Sequence, residues 1–124
     1  MDNSTREIAN QIAFEITKLP NVKSAYVDDY HEHSGIVDFQ VVAILEVHQG
    51  GGGRFCRYWP DNDYTTFNLR PTSNGIRKIL NTNKHITGGK SVEVPKRMYS
   101  WNGYTNDFDG YERNYIMVDF IIRD

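Results

Sequence analysis

The sequence predicts a single α+β domain, with a mainly antiparallel, curved sheet, an N-terminal amphipathic helix and a second, short helix. Three observations lead to this prediction. The chain has 124 residues, the size of one domain. Two segments have the apolar spacing of a helix, and several others alternate between apolar and polar residues as strands do. We find no internal repeat or linker, so residues 1–124 are treated as one ligand-binding domain.

The first helix is predicted from a capping box followed by apolar residues at helical spacing. Ser4 and Glu7 stand three residues apart, so each side chain can bond to the backbone of the other. Pro20 ends the helix, because a residue that precedes proline avoids helical angles. We expect this helix to cover one face of the sheet, through its apolar residues Ile8, Ile12, Ile16 and Leu19.

Two antiparallel strands are expected next, at residues 22–30 and 35–48, joined by a turn at residues 31–35. In the second strand, alternate residues from Val37 to Val47 are apolar and define a buried face. Residues 50–53 are four glycines, which we interpret as a hairpin tip because no Lys-Ser or Lys-Thr pair follows them.

The second half of the chain is predicted to contain further strands and the short helix. We expect strands at residues 54–59, 64–69, 91–101 and 111–123, with a helix at residues 73–83 and a loop at residues 85–90. Thr72, Ser73 and Asn74 are candidate N-caps of this helix. Pro95 indicates that its strand lies at an edge or carries a bulge.

Charge is distributed unevenly along the chain, although the net charge is only −2. Residues 54–101 contain nine basic and three acidic side chains, whereas both flanking segments are acidic. This pattern fits a compact anionic ligand better than long nucleic acid, which acidic flanks would repel.

Cys56 is the single cysteine, and no apolar run has the length of a membrane span. We therefore expect a soluble protein of a reducing cytoplasm.

Arginines and aromatic residues recur together in the predicted strands and beside the start of the second helix. Aromatic rings and guanidinium planes stack on adenine, and guanidinium and free backbone N–H groups bind phosphates. Phosphate contacts or stacking are expected from Arg57, Arg77, Arg97 and Arg113. Base contacts are expected from Trp59 and Phe67, and further donors from Arg70, Asn74 and Gly75.

No catalytic group stands out from its surroundings, and we predict no catalytic residue, metal site or cofactor. His31 and His33 have a spacing found in metal sites, but they fall in a predicted turn with no third ligand fixed by spacing. Cys56 has nearby arginines that could activate its thiol, yet no local histidine is positioned as a base.

Beyond these patterns, the chain resembles the first described family of phage anti-Thoeris proteins. The resemblance lies in its length, its opening MDNSTREIANQIAFEITKLPNV, the segment GGGGRFCRYWPDNDY and the tail YERNYIMVDFIIRD. It implies a phage-encoded protein of the bacterial cytoplasm that sequesters cyclic ADP-ribose isomers without cleaving them, as oligomers built from dimers. The resemblance also implies that adenine is held between an aromatic residue and an arginine, at positions no motif identifies in this chain.

These observations predict a non-catalytic, homo-oligomeric protein that sequesters a cyclic adenine-nucleotide signal. Two alternatives remain open at this point. A phage inhibitor of a host protein would carry its acidic residues on one exposed face, with no concave basic pocket. A small phosphoesterase acting on cyclic nucleotides would use His31, His33 or His48.

Overall fold

The computed structural model describes residues 3–47, 68–99 and 108–123. Four strands form an antiparallel sheet in the order β1-β2-β6-β3, and β4 pairs with β5 in a separate two-stranded sheet. The predicted α+β fold is confirmed. The elements in chain order are α1 (Asn3–Ile16), β1 (Val22–His33), β2 (Ile36–Leu45), α2 (Arg70–Thr82), β3 (Ile86–Glu93), β4 (Arg97–Tyr99), β5 (Phe108–Tyr111) and β6 (Tyr115–Arg123).

The hairpin of β1 and β2 closes through a two-residue turn at Ser34 and Gly35. Both residues have positive φ, at 52° and 79°, as a tight hairpin turn with the right-handed twist of its strands requires. His33 pairs with Ile36 on either side of the turn. The predicted turn at residues 31–35 was therefore too wide, because β1 continues through His33.

One face of the sheet and the inner sides of both helices form the core. Alternate residues of β2 and β6 point inward, and the rings of Phe39 and Phe120 stack with centroids 5.8 Å apart. Each fully buried aliphatic or aromatic side chain stabilises such a core by about 1.5–3 kcal/mol. The most deeply buried residues are Ile12, Ile16, Val37, Phe39, Val41, Ile76, Leu80, Ile116, Val118, Phe120 and Ile122.

The two helices lie side by side and run in opposite directions. Ile8 of α1 shares a surface cavity with Asn83, beyond the end of α2, whereas Leu19, after α1, contacts Gly75 near the start of α2. A Cβ atom at Gly75 would lie 2.5 Å from a Leu19 methyl group. Glycine therefore allows the end of α1 and the start of α2 to approach closely.

Three predicted boundaries were wrong. The predicted loop at 85–90 belongs largely to β3, because Ile86 is buried and pairs with Ile122. Glycines 88 and 89 are accommodated there by register shifts. The predicted strand at 91–101 is interrupted at residues 94–96, around Pro95, and the strand at 111–123 is interrupted at residues 112–114. Residues 48–67, which include the predicted hairpin tip at 50–53, the predicted strand at 54–59 and most of the predicted strand at 64–69, lie outside the described residues.

In the part of the chain that the structure describes, neither helix has the length and apolar character needed to cross a membrane.

The second face of the sheet, opposite the helices, carries Asp119 near its centre. Burial raises the pKa of the Asp119 carboxyl, and repulsion from Asp38 and Glu93 raises this pKa further.

Gly35→Ala is expected to lower the free energy of unfolding by about 1–2 kcal/mol, because a side chain in the left-handed region is strained. The Cβ atom itself would meet nothing within 4 Å. Gly88→Ala is the matched control, since Gly88 lacks a positive φ and its Cβ would also be uncrowded. Urea denaturation measures both values, and equal losses would contradict the assigned turn.

Asp119→Asn is expected to stabilise the protein at neutral pH and to have less effect at pH 3. A carboxyl pKa that is raised in the folded state means that the folded protein binds more protons than the unfolded chain. Stability therefore falls as pH rises from the unfolded pKa through the folded pKa, and the amide removes this loss. Urea denaturation between pH 3 and 7 measures the difference. A gain that is the same at every pH would contradict the proton linkage.

Candidate ligand-binding site

A cavity of about 550 Å³ lies where α2 begins. This volume is within the range of small-molecule binding sites. One wall comes from the first turn of α2 and the other from the segment after β3 and the end of β5. The lining residues are Asn68, Leu69, Arg70, Ser73, Val94, Pro95 and Tyr111.

Helix α2 begins at Arg70, three residues before its predicted start. Leu69 occupies the N-cap position and makes no side-chain capping bond. Pro71 lies within the first turn, where its missing N–H and fixed φ are tolerated. The hydroxyl of Ser73 donates to the Arg70 carbonyl at 3.2 Å, so Ser73 is a helical residue that faces the cavity and not a cap.

The helix start offers few backbone donors to a ligand. The N–H of Arg70 donates to Asn68 Oδ1 at 3.0 Å, and Pro71 has no N–H. Asn74 and Gly75 lie in the second turn, where backbone N–H groups bond to carbonyls four residues back. Binding of an anion in the cavity would therefore depend on the Arg70 guanidinium. Arg70 is exposed, and its guanidinium forms no ion pair with any other described residue.

The turn between α1 and β1 holds the first turn of α2 in place. The hydroxyl of Thr72 is fully buried and donates to the Pro20 carbonyl at 2.6 Å. Asn21, which has a φ of 65°, donates from Nδ2 to the Asn68 carbonyl at 3.4 Å. These two bonds connect segments about 50 residues apart and position Asn68 and Arg70 at the mouth of the cavity.

The opposite wall is built from apolar and aromatic residues. Tyr111 is 2% exposed and ends β5, and Pro95 is buried beside it. Two bonds connect the neighbouring residues, because Glu112 N–H donates to the Lys96 carbonyl at 2.9 Å and Lys96 N–H donates to Glu112 Oε1 at 3.2 Å. This wall can contact the flat or apolar part of a ligand, opposite Arg70.

A second, smaller cavity of about 190 Å³ contains Arg77. It lies between α2 and β3, where the Lys90 ammonium donates to Asn81 Oδ1 at 3.2 Å. Arg70 and Arg77 are seven residues apart, or about 10 Å along the helix. The structure therefore places these two predicted residues in separate cavities along one side of α2.

Among the described residues, the predicted ligand-binding residues Asn74 and Gly75 do not line the main cavity. Asn74 is exposed, and Gly75 faces Leu19. Arg97 pairs with Tyr111 through the backbone of β4. Arg57, Trp59 and Phe67 lie outside the described residues, so their roles stay predictions.

Arg113 is already engaged within the protein. Its guanidinium forms an ion pair with Glu112 at 3.1 Å, donates to the Glu93 and Tyr115 carbonyls, and lies over the Tyr115 ring. These contacts connect β6 to the end of β3. A ligand would have to replace some of them in order to use Arg113.

The sequence did not predict six of the residues that line the main cavity: Asn68, Leu69, Ser73, Val94, Pro95 and Tyr111. It indicated Ser73 only as a cap and Pro95 only as a mark of an edge strand. The cavity forms because Pro95 and Tyr111 lie near the start of α2 in space, and no local pattern predicts that long-range arrangement.

The described residues contain no group of three His, Cys, Asp or Glu side chains that could hold a metal ion. His31 and His33 lie on the exposed end of β1, and His31 is 3.4 Å from the Asp29 carboxylate.

Comparison with protein-family models, curated proteins and solved structures found no match.

Thr72→Val is expected to destabilise the fold by about 1 kcal/mol, because a partly buried hydrogen bond to the Pro20 carbonyl is lost while the shape of the side chain is kept. Thr82→Val is the control, since the Thr82 hydroxyl is exposed and bonds to the Lys78 carbonyl of its own helix. The control should cost less than about 0.5 kcal/mol. Chemical denaturation distinguishes the two, and equal losses would contradict the role of Thr72.

Proposed function

We propose that this protein sequesters a cyclic adenine nucleotide, an isomer of cyclic ADP-ribose, and holds it without chemical change. In this proposal it is a phage protein of the bacterial cytoplasm, and it blocks anti-phage signalling by removing the signal. It acts as a homo-oligomer built from dimers. The family resemblance of the sequence supports the identity of the ligand, and the cavity at the start of α2 supports small-molecule binding.

The observation that carries the proposal is the composition of this cavity. Arg70 provides a forked cation for a pyrophosphate, while the Asn68 amide and the Ser73 hydroxyl can bond to ribose or phosphate oxygens. Tyr111 and Pro95 provide the opposite, apolar wall for a base. A cation and polar groups on one side and a ring on the other suit a ligand that has both phosphate and base.

The lining of the cavity favours binding over hydrolysis. Its described residues include no histidine, cysteine or carboxylate that could act as a nucleophile or as a general acid or base. The phosphoesterase alternative depends on His31, His33 or His48; His31 and His33 do not line this cavity, and His48 lies outside the described residues. A protein that only holds its ligand must be present in stoichiometric amount, which suits a small domain.

The protein should therefore return the ligand intact. Cyclic ADP-ribose isomers are incubated with the protein, unbound nucleotide is removed, and the protein is denatured by heat. Mass spectrometry of the released material is expected to find the cyclic nucleotide at its original mass. Linear products would support the phosphoesterase alternative instead, and absence of retained nucleotide would contradict sequestration.

Arg70→Ala is expected to raise the Kd for the cyclic nucleotide at least about tenfold, because a charge-assisted contact with phosphate is lost. Arg6→Ala is the matched control, because this substitution removes the same charge from α1, where Arg6 lies over the Tyr30 ring and outside the main cavity. Isothermal titration calorimetry measures both. The same Kd for the two variants would exclude the start of α2 from the site.

A further inference from the structure

The face of the sheet opposite the helices, here called the open face, combines an apolar patch with acidic side chains. Strand register defines its rows, because directly paired residues point to the same side. The open face comprises Ser24, Tyr26, Asp29, His31, His33, Ile36, Asp38, Gln40, Val42, Ile44, Gly88, Ser91, Glu93, Tyr115, Met117, Asp119, Ile121 and Arg123.

The apolar patch occupies one half of the open face. Tyr26, Val42 and Met117 form one row across three strands, and Ile44 pairs with Tyr115 in the next row. Val42 is 7% exposed, whereas Tyr26 is 48% exposed. The patch therefore has a closely packed centre and a large aromatic side chain available at its edge.

Acidic side chains lie beside this patch. Asp29, Gln40, Asp119 and Ser91 form the next row, Asp38 follows it on β2, and Glu93 pairs with Met117. Within the described residues, no cation pairs with Asp38, Asp119 or Glu93. Burial and the two neighbouring carboxylates raise the pKa of Asp119, so these three groups repel one another.

Among the described residues, the positive charges near the open face lie at its margins or are already engaged. Arg123 pairs with Ile36 at the far end of the sheet, and Arg113 forms an ion pair with Glu112. His31 is 3.4 Å from Asp29. The centre of the open face is consequently both apolar and negative.

We propose that the open face is a docking surface for a cationic amphipathic segment of another protein. Apolar side chains of the segment would contact Tyr26 and Met117, while its lysines or arginines would pair with Asp38 and Asp119. This surface is separate from the cavity at the start of α2, and the proposal does not depend on the nucleotide function.

The negative charge of the open face favours a cationic segment over a second copy of the chain, a nucleic acid or an anionic lipid surface. In a symmetric contact between two copies, the same patch lies on both sides, so the central carboxylates of one copy would meet those of the other. Nucleic acids and anionic lipid surfaces carry the same sign of charge as the open face. A cationic segment relieves the repulsion among Asp38, Asp119 and Glu93, and it buries the apolar patch at the same time.

The test uses a fluorescein-labelled amphipathic peptide of Lys and Leu, with a peptide of Glu and Leu as the reference. Anisotropy is expected to show binding of the Lys–Leu peptide only. Asp38→Asn/Asp119→Asn should weaken binding at least about tenfold, because two charge-assisted contacts are lost. Glu7→Gln/Glu15→Gln removes the same charge from α1 and should leave the affinity within about twofold of the unmodified protein.

Three results would overturn the proposal. The first is equal loss of peptide binding in the two double variants, and the second is that the protein binds neither peptide. The third comes from sedimentation of the Met117→Lys variant. If this variant converts an oligomer into monomers, the open face belongs to a second copy, whereas unchanged oligomer size together with lost peptide binding supports the docking surface. Circular dichroism establishes that each variant is folded.

Discussion

The structure depends on the close approach between the end of α1 and the start of α2. Gly75 makes this approach sterically feasible, because any side chain there would collide with Leu19. The buried hydroxyl of Thr72 then binds the Pro20 carbonyl, which fixes the first turn of α2 relative to the turn before β1. Without these contacts α2 could still cover the sheet through Ile76 and Leu80, but only the Asn21–Asn68 bond and the buried Leu69 would remain, among the contacts described, to position its first residue.

That position determines the chemistry of the main cavity. The first turn of α2 brings Arg70 opposite Tyr111 and Pro95, which two bonds between Lys96 and Glu112 hold in place. The helix end itself contributes little, because Asn68 bonds to the Arg70 N–H and Pro71 has none. An anion in this cavity would therefore be held by the forked, directional guanidinium of Arg70 and not by the helix dipole.

Much of the fold was predictable because the sequence repeats its signals at several levels. The alternation from Val37 to Leu45 and from Ile116 to Ile122 identified the buried faces of β2 and β6, and the apolar spacing from Ile8 to Ile16 predicted α1, which ends four residues before Pro20. The errors arose where long-range contacts overrode local preference. Ile86 draws two glycines into β3 by pairing with Ile122, and Ser73 resembles a cap but lies in the helix. Likewise Arg70 and Arg77 share one side of α2, but the packing against β3 separates them into two cavities.

The central claim is that a cyclic adenine nucleotide binds at the start of α2. The most direct measurement is a titration of isotopically labelled protein with cyclic ADP-ribose isomers, followed by the backbone amide resonances. The account predicts saturable shifts at Asn68, Arg70, Ser73 and Tyr111, with little change at Val42, Met117 and other residues of the open face. Shifts confined to the open face, or no saturable shift near Arg70, would contradict the account.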